Sequence, residues 1–384
     1  MSLIGNLLDG LLNITDVRPR FTGPRCLVER YAVGGCDACA LTCPHGAVTI
    51  DLEKASVEIS DTACTGCGLC VAVCPSGALE YDVEGALAAL KRQGDTARLA
   101  CSKAESDAPT LHCLARLTPS HLMAAAAWNK DVTLERGDCG TCPIGSDLKK
   151  EFPEGWNVPD MLEDTLEEAR KYREASGGGV SARVVHILPG EGKKGGGERV
   201  SRRGAFASMF SSARTVVADL IPEKPLPFVD WSNPKEHVPG EWQWRFKALK
   251  PRPAPQTATF WPAPVVDDSC ILCPVCMNVC PTEAIKREIL PDGGFELLLE
   301  LSACTGCNAC VASCPPSAMT LEPYRPFAAF DAPILLFSSA LKEQAEATRE
   351  PEVGIGTDEW EERKIWNGET GNSEIDPPTN DEIH

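Results

Sequence analysis

Three times the chain repeats one cysteine spacing, C-x2-C-x2-C-x3-C-P, and that spacing dictates what can form around it. The copies are Cys64, Cys67, Cys70, Cys74; Cys270, Cys273, Cys276, Cys280; and Cys304, Cys307, Cys310, Cys314. Two-residue gaps let a tight turn wrap three thiolates around three corners of a cubane iron–sulfur cluster, and the fourth cysteine, one helical turn on, reaches a neighbouring cluster. Proline after it redirects the chain without leaving an N–H unused. Gly66, Gly68, Gly306 and Ala309 allow the backbone to come close. A zinc site would call for paired C-x2-C motifs or added histidine, a pattern these segments do not follow.

A longer repeat contains these copies. Four times the chain reads Cys-Pro-x-x-Ala-apolar: Cys43 to Val48, Cys74 to Leu79, Cys280 to Ile285 and Cys314 to Met319. Each copy closes a cysteine series and runs into a strand-like stretch, and their arrangement as two pairs predicts a duplicated domain at each end. Over 22–85 and 262–326, about a third of the chain, these segments resemble the bacterial two-cluster [4Fe-4S] ferredoxins. The resemblance implies two α+β ferredoxin-like modules with crossed ligation and four [4Fe-4S] clusters in all. Cys270, Cys273, Cys276 and Cys314 then hold one cluster, and Cys304, Cys307, Cys310 and Cys280 its neighbour. In the first module Cys64, Cys67, Cys70 and Cys43 hold one.

The remaining cluster departs from the pattern. Cys36, Cys39 and Cys43 match, but Val33 stands where the first cysteine is expected, and Cys26 lies seven residues earlier. Folding back of 27–35, with Gly34-Gly35 supplying freedom to turn, would bring Cys26 to Cys36, Cys39 and Cys74. The other outcome is a three-iron cluster lacking its fourth ligand.

Between the modules, 96–190 has a different texture. Short strands at 97–100 and 131–134, a helix opened by Thr118-Pro119, a second helix over 159–175 closed by Gly177, and a buried-type strand at 182–188 predict a small α/β domain. Its four cysteines, Cys101, Cys113, Cys139 and Cys142, form a candidate metal site, since Cys101 and Cys139 each follow a predicted strand. Cys113 to Pro119, followed by Gly137 to Cys142, is similar to the delta-subunit family of methyl-viologen-reducing hydrogenase. That likeness implies a [2Fe-2S] cluster and a place between a hydrogenase and a flavin-containing partner. One upstream cysteine replaces the usual close pair, and C-x2-C replaces a wider gap. An iron–sulfur cluster ([2Fe-2S] or [4Fe-4S]), zinc, and free or disulfide-prone thiols all stay open here, because thiolate suits each soft metal.

The other segments carry less. Residues 1–21 read as an N-terminal arm and 191–261 as a linker, extended over 222–265, with an amphipathic helix over 202–220. That helix would pack on its own protein, on a partner, or on a membrane surface. Gly190, Gly192 and Gly195 spell G-x-G-x-x-G but open no helix, so the dinucleotide reading fails. His45 and His112 adjoin cysteine sites, where the readings are tuning of a cluster by hydrogen bonding or, as expected for both, a solvated side chain. Residues 327–384 read as an acidic, disordered tail; from Lys342 to His384 there are 13 acidic and 4 basic residues, a balance of −9 within a net charge of −18. Such acidity argues against nucleic acid as a partner, and suits either docking on basic redox partners or solubility alone.

Twenty cysteines in a chain with neither a secretory signal nor a membrane-length apolar run predict a reducing, cytoplasmic setting. No catalytic triad or carboxylate pair stands out, so no catalytic residue is expected. The chain is predicted to relay electrons to or from a larger oxidoreductase or flavoprotein (a hydrogenase, a formate or aldehyde oxidoreductase, or a flavin reductase), without membrane contact. A redox sensor or cluster scaffold built on the middle thiols is the alternative, and an enzyme with substrate at an open iron of the irregular cluster a third.

Overall fold

The computed structural model describes residues 17–145, 157–187, 237–291 and 293–340. The first unit contains β1 (Arg20–Phe21), α1 (Ala38–Leu41), β2 (Val48–Asp51), β3 (Ser56–Ile59), α2 (Leu69–Ala72) and β4 (Leu79–Glu80). β1 pairs antiparallel with β4, and β2 with β3. The middle unit runs through α3 (Val83–Arg92), β5 (Thr96–Cys101), β6 (Thr110–Leu111), α4 (Pro119–Ala127), β7 (Asp131–Arg136), α5 (Val158–Glu174) and β8 (Ala182–His186). Its sheet has the order β6-β5-β7-β8, parallel throughout, with a helix between β6 and β7 and another between β7 and β8. The last unit contains α6 (Gly240–Lys247), β9 (Ala258–Val266), α7 (Val275–Val279), β10 (Ile285–Ile289), β11 (Phe295–Leu299), α8 (Ala309–Ala312), β12 (Met319–Pro326) and β13 (Ile334–Ser338). β9 and β12 form one antiparallel pair, and β10-β11-β13 an antiparallel sheet.

The four sequence repeats explain the ferredoxin-like ends. Each fourth cysteine follows one of the single-turn helices α1, α2, α7 and α8, and the repeat then enters β2, β4, β10 and β12. The alanine of each copy turns inward: Ala47, Ala78, Ala284 and Ala318 are only 1–2% exposed. A larger side chain there would separate the strand from the cysteine loop behind it.

Local signals also set the middle helices. Asp82 accepts from the Glu84 N–H to cap α3, and Asn157 accepts from the Asp160 N–H to cap α5. Thr118 and His121 close a reciprocal capping box on α4, with Pro119 at its first position. The imidazole Nδ1 accepts from the Thr118 N–H at 3.1 Å, and burial drives the His121 pKa down to about 4. A neutral ring is the form this cap needs.

Two expectations fail in the last unit. The connector over 222–265 is not extended throughout where it is described: α6 falls within it, and its extended part is most of β9, which pairs with β12. Trp242, Arg245 and Leu249 share one buried face there, and Arg245 hides the apolar pattern in the sequence. The tail also starts later than 327. A 3-10 turn spans Phe327–Phe330, and the apolar run of β13 pairs with β11. The 202–220 helix, the 190–195 glycines and the acidic residues from 341 onward lie outside the described residues.

The units share one apolar core. Trp261 of β9 is 1% exposed and meets Tyr172 of α5, Phe246 of α6 and Phe330 edge-on at 5.1–6.5 Å. Among the described residues no helix is long and apolar enough to cross a membrane.

Candidate metal centres

In the first module, the short turns at α1 and α2 point thiols toward one another. Burial raises the pKa of Cys26, Cys36 and Cys39, the last to about 12, and the nearby Cys74 sulfur adds to the rise in each. Cys26 therefore returns to Cys36, Cys39 and Cys74 in spite of the nine-residue interruption from Leu27 to Gly35. Burial also lifts Cys70 well above the ordinary thiol range, and Cys67, Cys43, Cys39 and Cys64 crowd it further.

The last module repeats this arrangement. Cys280, Cys304, Cys307 and Cys310 line one recess of about 320 Å³, open solvent included. Burial pushes Cys304 up to about 12 and Cys307 to about 11, with Cys280 contributing to both. Burial, then Cys273, raises Cys276 to about 11, with Cys270 also nearby. Cys314 closes α8 and packs on the core that takes in Cys270 and Cys276.

The middle thiols stand at the C-terminal edge of the parallel sheet, where open α/β folds bind ligands. Cys101 ends β5, Cys113 follows β6, and Cys139 and Cys142 follow β7. All four line a recess of about 370 Å³, open solvent included, together with Lys103, His112 and Arg136. Burial pushes Cys113 up to about 12, and its charged neighbours include Cys139, Cys101 and, from the first module, Cys67.

Thiols grouped and desolvated in this way cannot ionise together unless positive charge lies between them. Iron supplies that charge and draws on soft sulfur donors. Backbone N–H groups already face several sulfurs: Ala47 donates to Cys43 Sγ at 3.2 Å, Leu272 to Cys270 Sγ at 3.4 Å, and Gly137 to Cys101 Sγ at 3.3 Å. The donor set and its surroundings thus fit cysteine-ligated clusters. Among the described residues, no three His, Cys, Asp or Glu side chains converge as a lone ion would require.

Sequence comparison bears on both ends of the chain. Residues 34–78 match a family model described as "4Fe-4S dicluster domain", and residues 269–319 match a second model of the same description. Two 4Fe-4S dicluster domains lie in this chain. They imply four [4Fe-4S] clusters and give the chain two iron–sulfur domains of the ferredoxin type. A relative, the "Ferredoxin-type protein NapF" of Haemophilus influenzae, is 39% identical over 52 residues, which is 14% of this chain. The match spans 30% of that relative's length.

Several residues near these dicluster centres escape a reading by motif. Arg25, 1% exposed, donates to Gly77 O at 2.9 Å and to Glu80 Oε2 at 2.6 Å, placing a buried cation beside Cys26 and Cys74. Arg116 donates to Gly66 O at 2.8 Å and lies over the Tyr81 ring. His45 and His112 are not free in solvent: His45 Nε2 meets Ile144 O at 3.2 Å, and His112 Nε2 meets Thr65 O at 2.8 Å. Both imidazoles tie the first module to the middle domain. An isolated histidine carries no spacing that could announce such a link.

Proposed function

We propose that this protein is a multi-cluster electron relay serving a larger oxidoreductase or flavoprotein, with five metal centres. Cys26, Cys36, Cys39 and Cys74 hold the irregular cluster. Cys43, Cys64, Cys67 and Cys70 hold its neighbour. Cys270, Cys273, Cys276 and Cys314 hold a third, and Cys280, Cys304, Cys307 and Cys310 a fourth. The observation that supports this reading most directly is the recess ringed by Cys280, Cys304, Cys307 and Cys310.

The fifth centre is an iron–sulfur cluster on Cys101, Cys113, Cys139 and Cys142. All four thiols line one recess at the C-terminal edge of the sheet, and the Gly137 N–H donates to Cys101 Sγ, which supports a cluster on these residues. The likeness of this segment to the hydrogenase delta-subunit family supports the same choice and a flavoprotein or hydrogenase as partner. A redox sensor would need a depressed, accessible thiol, whereas burial raises Cys113.

Bound clusters supply one-electron chemistry; the protein holds them, excludes water and aims backbone N–H groups at sulfur, which favours the reduced state. A redox titration of the anaerobic protein followed by EPR tests the reading. Stepwise reduction of at least four centres, with re-oxidation by a viologen dye and no substrate added, is expected. A protein that takes up no electrons from dithionite would refute it.

A further inference from the structure

The interruption that spoils the first cysteine motif has a structural partner. Residues 27–35 lie against the two short helices of the last module. Arg30 donates through Nη1 to Asn278 O at 3.0 Å and pairs with Glu283 at 3.6 Å. The Val33 N–H donates to Ser313 Oγ at 3.0 Å. Asn278 precedes Cys280 by two residues, and Ser313 precedes Cys314 by one. Beneath these bonds Leu27, Ala32, Val279 and Ala309 form a small buried apolar cluster, and Cys36 and Cys307 both pack against it. Cys36 belongs to the irregular set of the first module, and Cys307 to a set of the last.

At the other side of the first module the contact is with the middle domain. Thr65 Oγ1 donates to Ile144 O at 2.7 Å, Arg116 holds Gly66 O, and Cys113 neighbours Cys67.

We propose that the loop 27–35 is the joint through which electrons cross between the two ferredoxin modules, so that the five centres form one file. Its order runs from the middle four-cysteine site to Cys43/64/67/70, then Cys26/36/39/74, then Cys280/304/307/310, and last Cys270/273/276/314. This rests on the cluster assignments made above. One electron lost on one side of the joint is gained on the other, and no bond forms or breaks. A gap filled by four buried apolar side chains keeps water out, so little solvent must reorganise as charge crosses. Arg30 and Ser313 are positioning residues: they fix that gap without touching a thiol.

The test uses the full-length protein purified anaerobically. Its iron and sulfide are counted, and the EPR signals of the reduced protein are followed with rising microwave power. Neighbouring paramagnets speed each other's relaxation, so the file keeps the wild-type signals hard to saturate. The double variant Arg30→Glu, Val33→Pro reverses the charge facing Glu283 and deletes the N–H. It should keep its iron and saturate at several-fold lower power. Val33→Ala, which trims a side chain 62% exposed and keeps the N–H, should match wild type. If the double variant loses iron, Ser313→Ala removes only the acceptor and should shift saturation the same way by less. An iron-complete double variant with wild-type saturation, or an iron-complete Ser313→Ala unchanged where the double variant fails, overturns the joint. A wild-type protein without iron overturns the relay reading instead.

Discussion

The two ferredoxin modules share a motif but are supported in opposite ways. The last module is largely self-covered: Trp261 Nε1 of its own β9 donates to Cys304 O at 3.0 Å, and β12 and β13 complete its sheets. The first module has only short strand pairs, and its cysteine loops are held by neighbours. His112, Arg116 and Ile144 grip residues 65 and 66 on one side, and Asn278 and Ser313 receive its loop on the other. One sequence motif can therefore have its cysteine loops backed by strands of its own module or gripped by neighbouring units. The difference lies in residues outside the cysteine spacing.

The largest effect expected bears on the irregular ligand. Cys26→Ser and Cys270→Ser should each lose about four irons, one cubane apiece, if the displaced cysteine serves as a full ligand. Iron and acid-labile sulfide on both variants check this; a Cys26→Ser protein with its iron complete would make the first module a weaker copy of the last.

Next comes the attachment of the last unit to the middle domain. Arg245, 3% exposed, bonds Glu168 at 2.7 Å, pairs with Glu241, and stacks on Tyr172 and Trp242. Arg245→Ala strands the buried Glu241 and should cost about 3–5 kcal/mol of stability, measured by denaturant titration of the anaerobic protein.

A swap at matching loop positions should separate the modules by a smaller margin. Gly68 and Asn308 both adopt the left-handed conformation, at φ 97° and 66°. A Cβ on Gly68 would sit 2.9 Å from the Arg116 backbone nitrogen. Gly68→Asn should therefore cost roughly 1–3 kcal/mol through overpacking, and Asn308→Gly no more than about 1 kcal/mol. The same titration decides the order; equal losses would deny that neighbours shape the first module.

The smallest contrast is between threonines. Thr65 bonds across to Ile144, whereas Thr305 Oγ1, buried without a nitrogen or oxygen partner among the described residues, bonds only the softer Cys307 sulfur of its own loop. Thr65→Val should lose about 1 kcal/mol, and Thr305→Val close to none.

Legibility in the sequence follows the same contrast. The Cys-Pro-x-x-Ala-apolar repeat announced the strands that follow all four cysteine series, because cysteine spacing, proline and a buried alanine are local constraints. The α/β character of the middle domain was readable from its strand and helix alternation, and the start of α4 at Thr118-Pro119 from cap chemistry. What stayed hidden were contacts made at a distance. Arg25, Arg116, His45 and His112 act through backbone carbonyls tens of residues away, a relation no spacing records. Arg245 disguised α6, and the apolar run at 334–337 was overshadowed by the acidic residues that follow. Cys26 was legible as a candidate, but what its displacement allows depends on Asn278 and Ser313.

The central claim is that these thiols hold iron as clusters, and direct counting tests it. Anaerobically purified protein should carry about sixteen irons with matching sulfide from the four cubanes, and a further complement from the middle site. Its brown absorbance should bleach on adding dithionite. A colourless protein rich in zinc, with no absorbance that dithionite changes, would contradict the account.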